Sequence, residues 1–324
     1  LITCSNIGFG NQLGAQMTNF ADLYYIAKEN NQSVKLLSDF RYFRRGYQFV
    51  EVFDFPDNML ESDNNRGGQK LYNNLLNSTQ GNWKSNFAKI YKNRWRQYID
   101  HFYTANVYRR RKELVRISDL KGGVECDKRL LKLDENRFYD ICDGFGTIKE
   151  WDKYRDDIIK IFSYKPVTKD EGDSLWREKV ENNKKDGITT TCSIHFRRTD
   201  YLLISSLNLS DDYYKAAIDK FDKDKTLFVV FSDDIDAVRN LDYLQNLNAV
   251  FMERNSAIMD MYLMSKCDNN IIANSSFSFW GAYLGDDSNR KVVCPHDFIG
   301  DSAPEVQYMN GNWYPENWIA LDLR

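Results

Sequence analysis

Three short β-rich runs in the second half of this chain each close on a polar cluster, and that repetition narrows the fold more than any other feature. Residues 189–196 run into Arg197-Arg198-Thr199-Asp200, residues 226–231 into Ser232-Asp233-Asp234, and residues 270–273 into Asn274-Ser275-Ser276. Runs of this length, rich in β-branched and aromatic residues, predict strands buried on both faces. Between them, 211–221, 257–267 and 277–284 carry helical spacing, and 249–252 and 291–294 read as further strands. Strands joined by helical crossovers imply a parallel sheet and an α/β class. Ligands of open parallel sheets bind beyond the carboxyl ends of the strands. The three clusters are therefore expected to converge on one crevice.

The first half opens in the same manner. A strand ends near Cys4, and the turn Gly8-Phe9-Gly10-Asn11 leads into a helix over 12–29, with Leu13, Met17, Phe20, Leu23, Tyr24 and Ala27 at helical spacing. Residues 34–37 read as the next strand. The two glycines suggest a dinucleotide fingerprint, but Leu13 stands where the third glycine is needed and Gly14 comes one position late. Asn11 and Gln12 fit better as amide ligands for a sugar or phosphate. Residues 84–116 hold ten Lys and Arg against two acids, interleaved with aromatics. They read as amphipathic helices with solvated basic faces, or as a face for anionic membrane or a charged glycan carrier. A strand over 139–142 and a helix over 151–162 follow, and Pro166 ends that element. The expected organisation is two α/β halves joined near 165–172: a domain over 1–168 with a helical aromatic and basic insertion over about 56–135, and a second domain over 169–324.

Composition excludes several classes. The 324 residues carry 44 basic and 47 acidic side chains, net −3, which argues against nucleic acid as a bulk partner. No apolar run approaches the roughly 20 residues of a membrane span. The six cysteines, Cys4, Cys126, Cys142, Cys192, Cys267 and Cys294, form no C-x-x-C pair. Cys192 and Cys267 lie in apolar runs as buried thiols, which fits a reduced cytosolic protein. His101 and His296 have no partner at ligand spacing and read as surface or packing residues. Asp234-Ile235-Asp236 spells D-x-D, but Asp236 falls on the following helix, so no metal site is expected.

The chemistry gathers at the arginine turn. Two arginines directly after a buried strand cannot both point into the sheet. One, Arg197, can fork onto a diphosphate through charge-assisted bonds, and Arg198 can pair with Asp200 to hold the loop. His195 lies two residues before Arg197 and so on the same strand side. A plain Arg–Asp pair at a sheet edge is the competing reading. Ser275 and Ser276 open a helix, where hydroxyls and free N–H groups make either an anion site or an ordinary N-cap. Asp233 and Asp234 suit ribose hydroxyls or guanine N–H groups, or again a helix cap.

Taken together, these motifs resemble a known family. His195-Phe196-Arg197-Arg198-Thr199-Asp200 resembles the H-x-R-R-x-D motif of the α-1,2-, α-1,6- and protein O-fucosyltransferases. Phe231-Ser232-Asp233-Asp234 and the stretch from Ile272 to Ala282 resemble later blocks of the α-1,2-fucosyltransferases, glycosyltransferase family eleven. Asp260-Met261-Tyr262-Leu263 fits the segment before the last block, and Gly8-Phe9-Gly10-Asn11-Gln12 is similar to the family's opening. The resemblance implies a GT-B fold, with two Rossmann-like domains and a donor cleft between them. It implies inverting transfer from GDP-L-fucose to a hydroxyl of a galactose-containing glycan, O2 of a terminal β-galactoside, with no metal or cofactor. By the same resemblance Arg197 binds the β-phosphate, and His195, Arg198, Asp233 and Asp234 hold the nucleoside and its loop. Asp260 lies near ribose or guanine; Asn274, Ser275, Ser276 and Phe277 line the diphosphate. Asn11, with Gly10 and Gln12, faces the reacting sugar. Apart from the resemblance, Asp200 is the expected base because it is the nearest carboxylate in sequence, unless it only orients an arginine. Thr199 departs from the glycine usual in α-1,2 members, Gly144-Phe145-Gly146-Thr147 replaces an aromatic-Trp-Gln segment, and Phe279 replaces a common Trp. Another nucleotide sugar, another fucosyl linkage and a non-catalytic glycan-binding module remain as alternatives. The implied placement is cytoplasmic, with membrane association through 84–116, or the Golgi lumen if an anchor preceded Leu1.

Overall fold

The computed structural model describes residues 1–4, 7, 12–37, 47–61, 114–117, 126–141, 148–199, 207–253, 255–286, 288–298 and 313–322. The chain forms two compact units, one from Leu1–Glu51 and Phe55–Gly146, the other from Val52–Asp54 and Thr147–Arg324.

In the first unit, β1 (Ile2–Thr3) leads to α1 (Leu13–Glu29), β2 (Leu36–Leu37) and α2 (Gln48–Val52). β3 (Leu60–Glu61), β4 (Leu114–Ile117) and β5 (Phe138–Ile141) complete its strands among the described residues. The strands are parallel, in the order β1-β5-β4 with a separate β2-β3 pair. α1 is buried on most of its surface, polar Gln16, Thr18 and Asp22 included. Thr18 satisfies its hydroxyl on the Gly14 carbonyl at 3.1 Å, and Gln16 accepts from the Gln48 N–H at 2.9 Å, as buried polar groups require. The helix stops at Asn31, whose φ of 51° is the left-handed conformation that Asn tolerates after a C-cap. Phe20, Phe49 and Phe55 pack ring to ring at 5.1–5.7 Å as the core. Within the expected helical insertion, 114–117 is strand β4 rather than helix. Its Leu114 pairs in register with Phe138, and backbone pairing to β5 outweighs the helical reading of its basic pattern. The rest of 84–113 lies outside the described residues.

The second unit begins with α3 (Ile148–Trp151), α4 (Arg155–Ile161) and α5 (Pro166–Lys179). Trp151 stacks on Trp280 with ring centroids 5.6 Å apart and planes 4° apart, and Arg155 donates to the carbonyls of Tyr283 and Gly285. These contacts bind 148–161 to the second unit, so the division falls at 146/147 rather than near 168. The segment expected as a joint at 165–172 is the start of α5. Pro166 stands at its first helical position, where a missing N–H costs nothing.

Six strands follow: β6 (Thr190–Phe196), β7 (Thr226–Ser232), β8 (Ala249–Phe251), β9 (Asn269–Ile271), β10 (Val292–Pro295) and β11 (Ile319–Leu321). They form one parallel sheet in the order β11-β10-β9-β6-β7-β8. Counted from β6, this is the 3-2-1-4-5-6 order of a Rossmann sheet, which reverses direction between its first and fourth strands. The crossovers supply α6 (Asp211–Ile218), α7 (Ile235–Arg239), α8 (Ala257–Lys266) and α9 (Ser276–Tyr283). β6 alternates in chemistry. Cys192, Ile194 and Phe196 enter an apolar core with Tyr213, Tyr214 and Ala217 of α6. Thr191, Ser193 and His195, also buried, point to the other face. There Ser193 accepts from Asn270 at 2.6 Å and Thr191 donates to Asp268 at 2.8 Å. The strand is buried on both faces as expected, but one face is polar.

Candidate active site

Sheet order makes the three polar clusters neighbours. His195 pairs in register with Phe231, Phe196 with Ser232, and Ile194 with Ile271. The ends of β9, β6 and β7 therefore lie side by side, with the reversal point between β9 and β6. In doubly wound sheets the ligand crevice opens at that point.

His195 is 4% exposed, and its ring centroid lies 5.5 Å from that of Phe277 in the first turn of α9. Burial lowers its pKa to about 4, with Asp233 opposing and Arg197 adding to the shift, so the imidazole is neutral at pH 7. Its backbone carbonyl accepts from the Tyr214 hydroxyl at 3.3 Å, while Nδ1 is buried with no hydrogen-bond partner. A buried polar atom without a partner is costly unless a ligand satisfies it.

Beyond β6 the arginines separate. Arg197 Nη1 lies 3.0 Å from Asp233 Oδ2. Asp233 Oδ1 also accepts from the Arg198 N–H at 2.8 Å, and Oδ2 from the Thr199 hydroxyl at 2.6 Å. Burial by itself raises the Asp233 pKa, but these two hydrogen bonds and the Arg197 charge outweigh it and hold the carboxyl below its usual range. The structural acid of the turn is thus Asp233, reached across from β7; Asp200, the expected partner of Arg198, lies outside the described residues. The Arg198 charge is felt by Tyr214 of α6 and by Tyr243, whose hydroxyl donates to Asp211 of α6. The Arg198 Nε is buried without a hydrogen-bond partner. The alternation of β6 continues through the turn, with His195 and Arg197 on one side and Phe196 and Arg198 on the other.

The remaining expected residues divide between contact and support. Ser275 is the N-cap of α9 and accepts from the Phe277 N–H at 3.3 Å. Ser276 and Phe277 are half-buried, and the first turn of α9 carries no acidic residue. The corresponding turns of α6, α7 and α8 each carry one or two, so the positive end of the α9 dipole is left without a carboxylate of its own. Asn274 is 1% exposed and gives its amide hydrogens to the carbonyls of Leu207 and Phe298 at 2.9 and 3.0 Å; it fixes loops rather than presenting that amide to a ligand. Asp234 is the N-cap of α7, accepting from Ala237, because the chain turns into a helix directly after β7. Asp236 lies on α7, as expected. Asp260, in the first turn of α8, accepts from Asn255 at 3.0 Å. Burial raises its pKa to about 6, against the lowering effect of Asn255. Gln12 is exposed at the start of α1 in the first unit, and its side chain makes no capping bond. Asn11 and Gly10 lie outside the described residues.

Phe279 packs in the core against Trp151 and Trp318. Cys4, Cys126, Cys192, Cys267 and Cys294 are buried free thiols. His296 does have partners, contrary to the spacing argument. Its Nδ1 lies 2.7 Å from Asp297, and Asp322 joins them because β10 and β11 end in register. Sequence reasoning missed Asn255 and the role of Thr199. The signal for Thr199 was available only across strands, in an acid placed where the neighbouring strand ends.

A family model described as glycosyl transferase family 11 matches residues 139–321. The O-antigen biosynthesis glycosyltransferase WbnK of Escherichia coli is 38% identical over 143 residues, covering 40% of this chain and 44% of that protein. An alpha-1,2-colitosyltransferase of Escherichia coli is 32% identical over 146 residues, covering 41% and 48%. The match thus spans less than half the length of either relative. The solved α-1,6-fucosyltransferase NodZ from Bradyrhizobium, soaked with GDP-fucose, superposes with a TM-score of 0.47 at 12% identity, over 88% of this chain and 92% of that one. A likeness of that degree carries no functional weight.

Proposed function

Because this chain belongs to glycosyl transferase family 11, we propose that it transfers L-fucose, with inversion, from GDP-β-L-fucose to a glycan hydroxyl, O2 of a terminal β-galactoside. We take its architecture to be GT-B and the reaction to need no metal. The observation that carries the reading is the group at the β6–β9 reversal. There a neutral His195 with an unpartnered Nδ1 faces Phe277 at the start of an α9 that has no acid of its own, beside Arg197. Such a place suits an anionic ligand carrying an aromatic or hydroxyl-rich portion.

In the proposed step an acceptor oxygen attacks C1 of fucose as the bond from C1 to the β-phosphate oxygen breaks. The acceptor proton passes to a base, for which Asp200 is our assignment, and GDP leaves. Negative charge grows on the β-phosphate. Arg197 and the α9 N-terminus oppose it, and Arg197 shares its guanidinium between Asp233 and the phosphate. Asp260 and His195 hold the nucleoside, and Asn11 faces the sugar.

Arg197→Ala is expected to lower transfer from GDP-fucose to a galactoside by about 10²–10³-fold, with an unchanged circular dichroism spectrum. Near-normal turnover would remove Arg197 from the reaction. A second reading keeps the site and changes the sugar, since one relative is an alpha-1,2-colitosyltransferase. A panel of GDP-linked deoxy sugars, with product linkage read by NMR, separates the two.

A further inference from the structure

Asp233 anchors the arginine turn through both of its oxygens. Oδ1 accepts from the Arg198 backbone N–H at 2.8 Å. Oδ2 accepts from the Thr199 hydroxyl at 2.6 Å and faces Arg197 Nη1 at 3.0 Å. The backbone bond alone still lets the carboxylate rock about its last torsion and exchange its two oxygens, since that torsion is broad and two-fold. The hydroxyl is the second point that stops the rotation, and it does so at the same oxygen on which Arg197 docks. Thr199 itself is exposed, so this bond, and not packing, is what its side chain contributes.

We propose that Thr199 is a positioning residue for Arg197: its hydroxyl fixes the plane of the Asp233 carboxylate and thereby the direction in which the Arg197 guanidinium is presented at the end of β6. The kinetic consequence rests on the phosphate role given to Arg197 above. A guanidinium that is present but poorly aimed should cost turnover more than donor affinity, because the charge it must meet develops in the transition state. Loss of one hydrogen bond to a charged group corresponds to about tenfold.

The test compares Thr199→Val, which keeps shape and loses the hydroxyl, with Thr199→Ser, which keeps the hydroxyl. Two readouts are taken on the intact chain. In ligand-free protein carrying labelled arginine, NMR should show the Arg197 guanidinium equally restricted in the parent and in Thr199→Ser, and less restricted in Thr199→Val. With GDP-fucose and a galactoside, Thr199→Val should lose about tenfold in kcat with little change in donor KM, and Thr199→Ser should recover it. The thermal midpoint should fall by only a few degrees in Thr199→Val and hardly move in Thr199→Ser. An Arg197 signal unchanged in Thr199→Val overturns the proposal. Absence of transfer by the parent protein would count against the donor assignment instead, and the NMR comparison would still decide the role of Thr199.

Discussion

Asp260 and His195 bear opposite burdens of burial. Burial lifts Asp260 to about 6, with Asn255 pulling against it. A carboxyl whose folded pKa lies above its usual 3.8 binds its proton more tightly when folded. Its contribution to stability is present below about pH 4 and is lost as pH rises through about 6. His195, lowered by burial to about 4, works the other way: its contribution is present above its usual 6.5 and is lost as pH falls toward 4. At pH 7 the protein therefore holds a charged Asp260 that folding does not favour. Asp260→Asn is expected to stabilise the chain at pH 7 by about 1–3 kcal/mol while weakening GDP binding. Urea unfolding and calorimetric titration would check the two halves. A variant that gains stability and keeps full GDP affinity would take Asp260 out of the donor site.

At the scale of elements, Arg290 ties the end of α8 to the end of α9. Arg290 donates from Nη2 to the Ser265 carbonyl at 2.8 Å and from Nη1 to the Ala282 carbonyl at 3.2 Å, with Nη1 also on Asn270 and Nε on the Asp286 carbonyl. A cation at two helix C-termini meets both their orphan carbonyls and their dipoles. Arg290→Met is expected to cost about 2–4 kcal/mol in urea unfolding, and to lower the hydrogen-exchange protection of α8 and α9 first. The two helices also approach closely: a Cβ on Gly281 would lie 2.9 Å from the Met264 Cβ.

Much of this layer was legible in the sequence. The apolar strands of the second unit and their intervening helices appear within a few residues of where periodicity put them, because both faces of that sheet are covered. α5 was not legible, since only Gly172 and Trp176 of its residues are buried and no apolar stripe marks it. β11 escaped notice because it has three residues and an exposed Ala320. The convergence of the three polar clusters could be inferred from the sequence, because ligands of parallel sheets bind beyond the carboxyl ends of the strands. The grip of Asp233 on a turn 34–35 residues earlier could not, because it is a side-chain contact between strands that only register fixes.

At the scale of the whole molecule, the second unit is not one continuous stretch. Phe53, in a segment from the early part of the chain, is fully buried and packs its ring on Phe162 and Tyr164 at 5.3 and 4.8 Å. The Asp54 N–H donates to the Ser163 carbonyl at 2.7 Å. Phe53→Ala is expected to cost about 3–5 kcal/mol, and the loss should register in the unfolding of 147–324 although the substitution lies far upstream. Hydrogen exchange in β6 and β7 would read it; unchanged protection there would assign Phe53 to the first unit.

The same three residues set an order of events on the ribosome. Val52–Asp54 leave the exit tunnel before the 92 residues of 55–146, which belong to the other unit, and before Phe162 and Tyr164, on which Phe53 packs. At about 5–20 residues per second, the wait lasts on the order of 5–20 s. During it Phe53 lacks these two partners and is an aromatic open to chaperones or to misplaced contacts. Slowing translation over 55–146 would lengthen that exposure without altering a single native interaction, so synonymous codon changes there should affect yield while leaving the purified protein unchanged.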